Sequence, residues 1–301
     1  MKLSDMLSDD GLAIFLFHGV IEKTIYKVRN STRKHLDKDY FFKLIKELKS
    51  VGCPLSMDDV VRHYSSGKPY PPYSFVVTFD DGFENNYSIA APILKDLGIP
   101  ATFYITTDFV DNNHMSWTDK IEYCLEFTNK ESLKLPWNIN KFTLSNVEDK
   151  IVFMDNLRNH VKYDASIDID MLVSNVYTQC NLDEIEQSND TLDLKMNWKQ
   201  IKELRSDDLF SIGGHSHHHK ILSFLKTFVL EDDIKTSLDL LKEKAGINTE
   251  HYSYPEGLNH CYSNEVINVL KMNDIVCCPT AVDGTNTLDD NLFDLKRIMV
   301  I

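Results

Sequence analysis

Short apolar runs, alternating with amphipathic stretches along nearly the whole chain, constrain the fold more than any other feature. "LAIFLFHGV" (residues 12–20), "FVVTF" (75–79), "ATFYIT" (101–106), "LFSIGGH" (209–215), "HYSYP" (251–255), "DIVCCPT" (274–280) and "LKRIMVI" (295–301) read as strands. Between them lie helical patterns. Residues 37–50 place Phe41, Leu44, Ile45 and Leu48 at helical spacing, and Ser56 offers a cap for a helix to residue 64. Residues 85–97 and 231–244 are closed by Gly98 and Gly246, and 265–272 form a last helix. Such alternation belongs to an α/β fold around a parallel sheet, either open or closed into a barrel. Residues 117–205 interrupt it: charged helical segments, 119–127 and 168–180 among them, replace the strand-like runs. The chain therefore reads as one domain, 1–301, with a helical insertion at about 118–200.

Two run ends carry unusual chemistry. "FVVTFDDGFENNY" delivers Asp80 and Asp81, side by side, onto Gly82. Adjacent carboxylates repel, so unless the pair lies at an exposed turn it calls for a cation or a proton between the two. "SIGGHSHHHKILS" holds four of the 11 histidines, at 215, 217, 218 and 219. If that segment turns helically, His215 and His219 project from one face, as two imidazoles must to share a zinc-sized ion. His217 and His218 would point elsewhere, to pack, touch substrate or meet solvent. Both run ends lie at carboxyl ends of expected parallel strands, where α/β active sites gather. One Asp and two His leave coordination positions open for water and substrate, which suits catalysis more than structure. The spare carboxylate then serves as a base, and hydrolysis is the natural reaction class.

Charge narrows the partners. There are 32 Lys+Arg against 46 Asp+Glu, a formal net charge of −14 spread along the chain. Nucleic-acid phosphates and anionic lipid are repelled by such a surface and are not expected partners. Six cysteines without a C-x-x-C spacing read as reduced thiols. The N-terminus lacks the basic start and long apolar core of a signal peptide, and no stretch approaches the ~20 apolar residues of a membrane span. A cytoplasmic protein is expected.

On these motifs the sequence resembles the NodB-homology polysaccharide deacetylases, carbohydrate esterases of family four. "TFDDG" (78–82) is similar to their first motif, "HSHHH" (215–219) to the H-[ST]-x-x-H second motif, and "YSYPEG" (252–257) to the third. The flanks "ILKDLGIPATFYI" and "NWKQIKEL" agree as well, and "WTDKIEY" and "DLKRIMV" are similar to segments of a branch that works on surface-polysaccharide precursors. The likeness runs from residue 12 to the end, weakest over 131–196.

The resemblance implies a distorted (β/α) barrel of about seven parallel strands. It implies Asp80 as general base, with Asp81, His215 and His219 as ligands of a divalent metal, commonly Zn2+; the residues alone do not rank the two aspartates. A backbone N–H near Glu256 would help hold the oxyanion. The expected reaction removes an acetyl or formyl group from an amino sugar, carried on a nucleotide or lipid as a cytosolic precursor. The chain departs from the family at two points. Ser253 occupies the place of an Arg that often orients the base, and the late motif with a histidine acid is not recognisable. His18, at the end of the first strand, is the candidate acid, with His260 a weaker one. Tyr252, Tyr254, Pro255 and Trp117 are candidate walls for a sugar ring, although each could instead pack the core. A non-catalytic sugar-binding member, or a hydrolase of a phosphate ester or non-sugar amide, remains the alternative.

Overall fold

A computed structural model describes residues 2–301. β1 (Leu12–Phe17) is followed by a small parallel pair, β2 (Gly19–Ile21) with β3 (His35–Asp37). The Asp37 carboxylate accepts from the N–H groups of Asp39 and Tyr40 and so opens α1 (Lys38–Val51). β4 (Cys53–Pro54) leads into α2 (Met57–Ser66), which starts on a capping box between Ser56 and Asp59. β5 (Ser74–Phe79) carries the acid pair at its end. A π-helical turn, Asn86–Ala90, then runs into α3 (Ala91–Leu97), followed by β6 (Ala101–Ile105) and α4 (Thr107–Asn112).

α5 (Trp117–Phe127) leaves the sheet. With the hairpin β7 (Ser132–Leu133) and β8 (Phe142–Thr143), and with α6 (Val147–Val161) and α7 (Ile169–Cys180), it builds a separate apolar cluster around Leu125, Phe153, Leu157 and Val176. α8 (Trp198–Arg205) returns the chain to β9 (Phe210–Gly214); α9 (Thr227–Ala245), α10 (Asn264–Met272) and β10 (Ile298–Met299) complete it.

The main sheet has the order β10-β1-β5-β6-β9, with every neighbour parallel and β4 added alongside β5. Beyond β9 the ring continues through single bridges, Gly214 to Tyr252 and His251 to Cys277. Backbone bonds then run from Cys278 N–H to Leu292 O (2.9 Å) and from Thr280 N–H to Leu295 O (2.8 Å), toward β10. The result is a distorted (β/α) barrel, as the motifs implied. "HYSYP" and "DIVCCPT" take strand places but make only bridges; Pro255 and Pro279, which have no N–H to donate, cut the ladders short.

Both faces of the strands are buried. Phe15, Phe17, Val77, Phe79 and Phe103 pack with Phe41 and Ile45 of α1 and Leu94 of α3, while Ile14 and Val76 pack with Val60 of α2 and Tyr252. Strands covered on both sides read as unbroken apolar runs, which is why they stood out in the sequence.

Candidate active site

The turn after β5 decides where the two acids go. Neighbours on a strand point to opposite faces, yet Asp80 and Asp81 are buried in the same place. The strand stops at Phe79, and Asp81 and Gly82 then take φ of +76° and +82°. Two successive left-handed residues fold the chain over, so that the second carboxylate turns back beside the first. Asp81 occupies this costly conformation without being glycine, as residues held at functional sites do.

The histidines come from the loop after β9. The segment is not helical, contrary to the expectation of a helical turn; Ser216 and His219 instead lie at φ of +65° and +54°. Ser216 Oγ accepts the His219 N–H at 2.9 Å, and the Tyr252 hydroxyl accepts the Ser216 N–H at 2.8 Å. These bonds close a tight loop that brings His215 and His219 together, with ring centres 5.0 Å apart. A Cβ on Gly214 would lie 2.5 Å from the Tyr252 ring, so only glycine lets the strand pass that close.

Three donors converge. Asp81 Oδ1 lies 3.1 Å from His219 Nε2 and 3.6 Å from His215 Nε2. That oxygen is buried and has no hydrogen-bond partner among the described residues. His215 Nδ1 donates to the Ser253 carbonyl at 2.8 Å, which leaves the lone pair on Nε2, on the side of the carboxylate. His219 is held from outside by Phe109, whose ring stacks on it at 5.6 Å. One oxygen and two imidazole nitrogens, oriented and short of partners, fit a divalent cation of the zinc type.

Asp80 is held differently. Arg297 Nη1 donates to its Oδ1 at 2.9 Å and Nη2 to its Oδ2 at 2.7 Å, while Nη2 also reaches Ser253 Oγ at 2.8 Å. The guanidinium is fully buried inside the barrel and bonds Thr78 and the Thr280 carbonyl as well. Asp80 Oδ2 also faces His215 Nε2 at 3.8 Å. Burial, the largest single effect, would raise the Asp80 carboxyl, but Arg297 together with His215 and His18 outweighs it and holds the group below its ordinary value. At Asp81 too burial is the largest single effect and raises the carboxyl, but His219, by charge and hydrogen bond, together with His18 and His215 holds that acid well below the usual range.

Arg297 is the residue that sequence reasoning missed. "DLKRIMV" resembles a family segment, but a lone Arg ahead of a terminal apolar run carries no local sign that its side chain spans the barrel. Ser253, standing where an Arg was looked for, hydrogen-bonds both Arg297 and Asp80 (Oγ to Oδ2, 3.3 Å).

The remaining candidates divide. His18 is half-buried within electrostatic reach of both aspartates; burial lowers its imidazole although Asp81 and Asp80 pull it up. His260 is spent elsewhere: its Nε2 bonds the Lys162 carbonyl at 2.7 Å and its ring stacks on Tyr163. Tyr254 and Pro255 are buried and not free to form a groove wall. The Tyr254 hydroxyl donates to the Phe293 carbonyl at 3.1 Å, and its ring stacks on Tyr262. Tyr252, also in the core, braces the histidine loop. Glu256 and Trp117 do line a cleft of about 800 Å³, together with His219, Phe109, Lys120 and Lys162. Its far wall is the helical insertion, tied to the third motif by Lys162 Nζ on Glu256 Oε2 at 2.7 Å.

Behind the site lies a buried charge network in which Lys34 and Lys195 both face Asp119, at 2.5 and 3.8 Å.

Comparison with known proteins bears on this arrangement. A family model described as "Polysaccharide deacetylase" matches residues 67–149 and 173–277, more than half of the chain. No curated protein sequence matches. Among solved structures, the Streptococcus pyogenes deacetylase PplD in complex with acetate is 17% identical at a TM-score of 0.62, over 97% of this chain and 92% of that one. IcaB from Ammonifex degensii is also 17% identical at 0.62, over 98% and 94%. The BpsB deacetylase domain from Bordetella bronchiseptica is 16% identical at 0.59, over 98% and 97%. At such identity these likenesses speak for the fold.

Proposed function

Since this chain belongs to the polysaccharide deacetylase family, we propose that it is a metal-dependent hydrolase that removes the N-acyl group, acetyl or formyl, from an amino sugar. The observation that carries the reading is the convergence of Asp81, His215 and His219, with a second, separately clamped carboxylate beside them. A divalent cation, which we take to be Zn2+, would be held by these three residues and would supply Lewis acidity toward the acyl carbonyl and a more acidic water.

The chain's own groups do the rest. Asp80, kept ionised and aimed by Arg297 and Ser253, takes a proton from the attacking water. Backbone N–H of the segment around Glu256 stabilises the oxyanion; a donor so placed is worth about 3–4 kcal/mol. His18, which faces both acids, is our candidate general acid; it would take up a proton before passing it to the departing amine. Trp117 and Glu256 line the cleft in which the sugar would lie.

The family model is described as a polysaccharide deacetylase, PplD as a deacetylase in complex with acetate and the BpsB structure as a deacetylase domain, which supports N-acetyl removal from a saccharide here. All six cysteines are free thiols, and among the described residues no helix is long and apolar enough to cross a membrane. The likeness of "WTDKIEY" and "DLKRIMV" to a branch that works on surface-polysaccharide precursors is the ground on which we propose a precursor sugar, nucleotide- or lipid-linked, as the substrate form. The test is release of acetate or formate from N-acyl amino sugars, free, oligomeric and carrier-linked, by chelator-treated protein with and without added Zn2+. Release that needs zinc supports the reading. No release from any of them, with zinc bound, would leave a sugar-binding protein instead.

A further inference from the structure

His217 and His218, the two imidazoles that the first site leaves out, face a carboxylate of their own. Asp108, on α4, offers one ligand atom, and one from each histidine lies within 4.8 Å of it and of the other. His218 Nδ1 stands 3.6 Å from Asp108 Oδ2, and His114 Nδ1 stands 3.1 Å from the same oxygen. The two neighbouring rings are 4.2 Å apart. We propose that these groups form a second divalent-cation site, of the zinc, nickel or copper type, on the rim of the cleft.

The cluster is held in place. Asp233 of α9 accepts the N–H of His217 at 2.8 Å and that of His218 at 3.1 Å, one on each carboxylate oxygen. The Asp108 N–H bonds the His217 carbonyl at 3.1 Å, which ties the start of α4 to the loop. Thr107 Oγ1 lies 2.9 Å from His217 Nδ1. With that nitrogen's proton donated to the hydroxyl, Nε2 carries the lone pair, the outer support that metal-ligating histidines commonly have. Asn112 donates to Asp108 Oδ1 at 2.8 Å, leaving Oδ2 toward the imidazoles. Imidazole nitrogens beside one carboxylate select borderline transition ions over calcium or magnesium, which take oxygen ligands.

Position gives the site a use. Asp108, His114 and His218 line the same cleft as His219 and Glu256. An ion here would meet whatever fills the cleft and offer open coordination positions to its hydroxyl or anionic oxygens. The inference does not depend on the deacylase reading.

The experiment is zinc titration of chelator-stripped full-length protein by calorimetry, with bound metal counted after dialysis. Wild-type protein should take two equivalents. Asp108→Asn with His218→Gln should take one, and Asp81→Asn should also take one, losing the other. His218→Gln alone changes a half-exposed ring, and it should weaken one equivalent about tenfold or more while sparing the second. Saturation of the wild type at a single equivalent that Asp81→Asn abolishes, or a double variant that binds as much zinc as the wild type, overturns the proposal. Failure of the first site is separately visible, because Asp81→Asn would then leave the count unchanged.

Discussion

Arg297 grips both oxygens of Asp80, at 2.9 and 2.7 Å, across 217 residues of sequence. Burial favours the neutral carboxyl, yet the guanidinium keeps Asp80 below its ordinary value. A depressed folded value means that the stabilisation is present above the unfolded pKa, about 3.9, and is lost as pH falls through the folded one. Arg297→Gln leaves a buried carboxylate unpaired and should cost about 3–5 kcal/mol in denaturant unfolding near neutral pH. In the same variant the acid limb of kcat/KM should move to higher pH and the plateau fall about 10- to 100-fold. An acid limb that stays put would mean that another group sets it.

The two aspartates should separate cleanly. Asp80→Asn is expected to stop turnover, a loss of about 100-fold or more, while bound zinc is retained. Asp81→Ala should lose activity together with the zinc held by His215 and His219. Full rate in Asp80→Asn would remove Asp80 from the role of base.

Metal removal is a stability experiment too. An ion bound at 100 times its Kd adds about 2.7 kcal/mol to the folded state, so a chelator should lower Tm and zinc should restore it. His219→Ala should lose the share of that zinc-dependent gain that this site supplies. A chelator that leaves both Tm and rate unchanged would argue against metal at this site.

Tyr254 and Trp117 make opposite predictions. Tyr254→Phe removes a buried hydrogen bond to Phe293 and should cost about 1 kcal/mol of stability with KM unchanged. Trp117→Ala, on the cleft wall, should raise KM with a smaller effect on folding. A raised KM in Tyr254→Phe would return that residue to the substrate.

Lys195 offers a pH test of the buried charge network behind the site. Its Nζ donates to the Asp193 carbonyl at 2.6 Å and lies 4.0 Å from the Phe83 ring centre. Burial pushes its pKa down from 10.5 to about 8, although Asp119 pulls it up. Below that value both folded and unfolded chains hold the proton. Between about 8 and 10.5 only the unfolded chain does, so this group makes stability climb with pH. Lys195→Met should flatten the climb; parallel curves of unfolding free energy against pH for the two proteins would refute the assignment.

Much of this molecule was legible in one dimension. The strands announced themselves because both their faces are buried, and the cap at Ser56 marked a helix start, since satisfying the first N–H groups is a local matter. Asp81, His215 and His219 could be paired because strand ends of a parallel sheet meet at one edge. Other features are decided by contacts between distant segments. His215 and His219 meet through a loop braced by Tyr252 instead of a helical turn, and Tyr254 is claimed by a carbonyl 39 residues away. Arg297 reaches Asp80 only because β10 closes on β1, a pairing that leaves no trace near either residue. Periodicity and capping depend on neighbours in sequence and were determined there; the partner of a buried charge depends on which strands lie side by side, and only the folded barrel decides that.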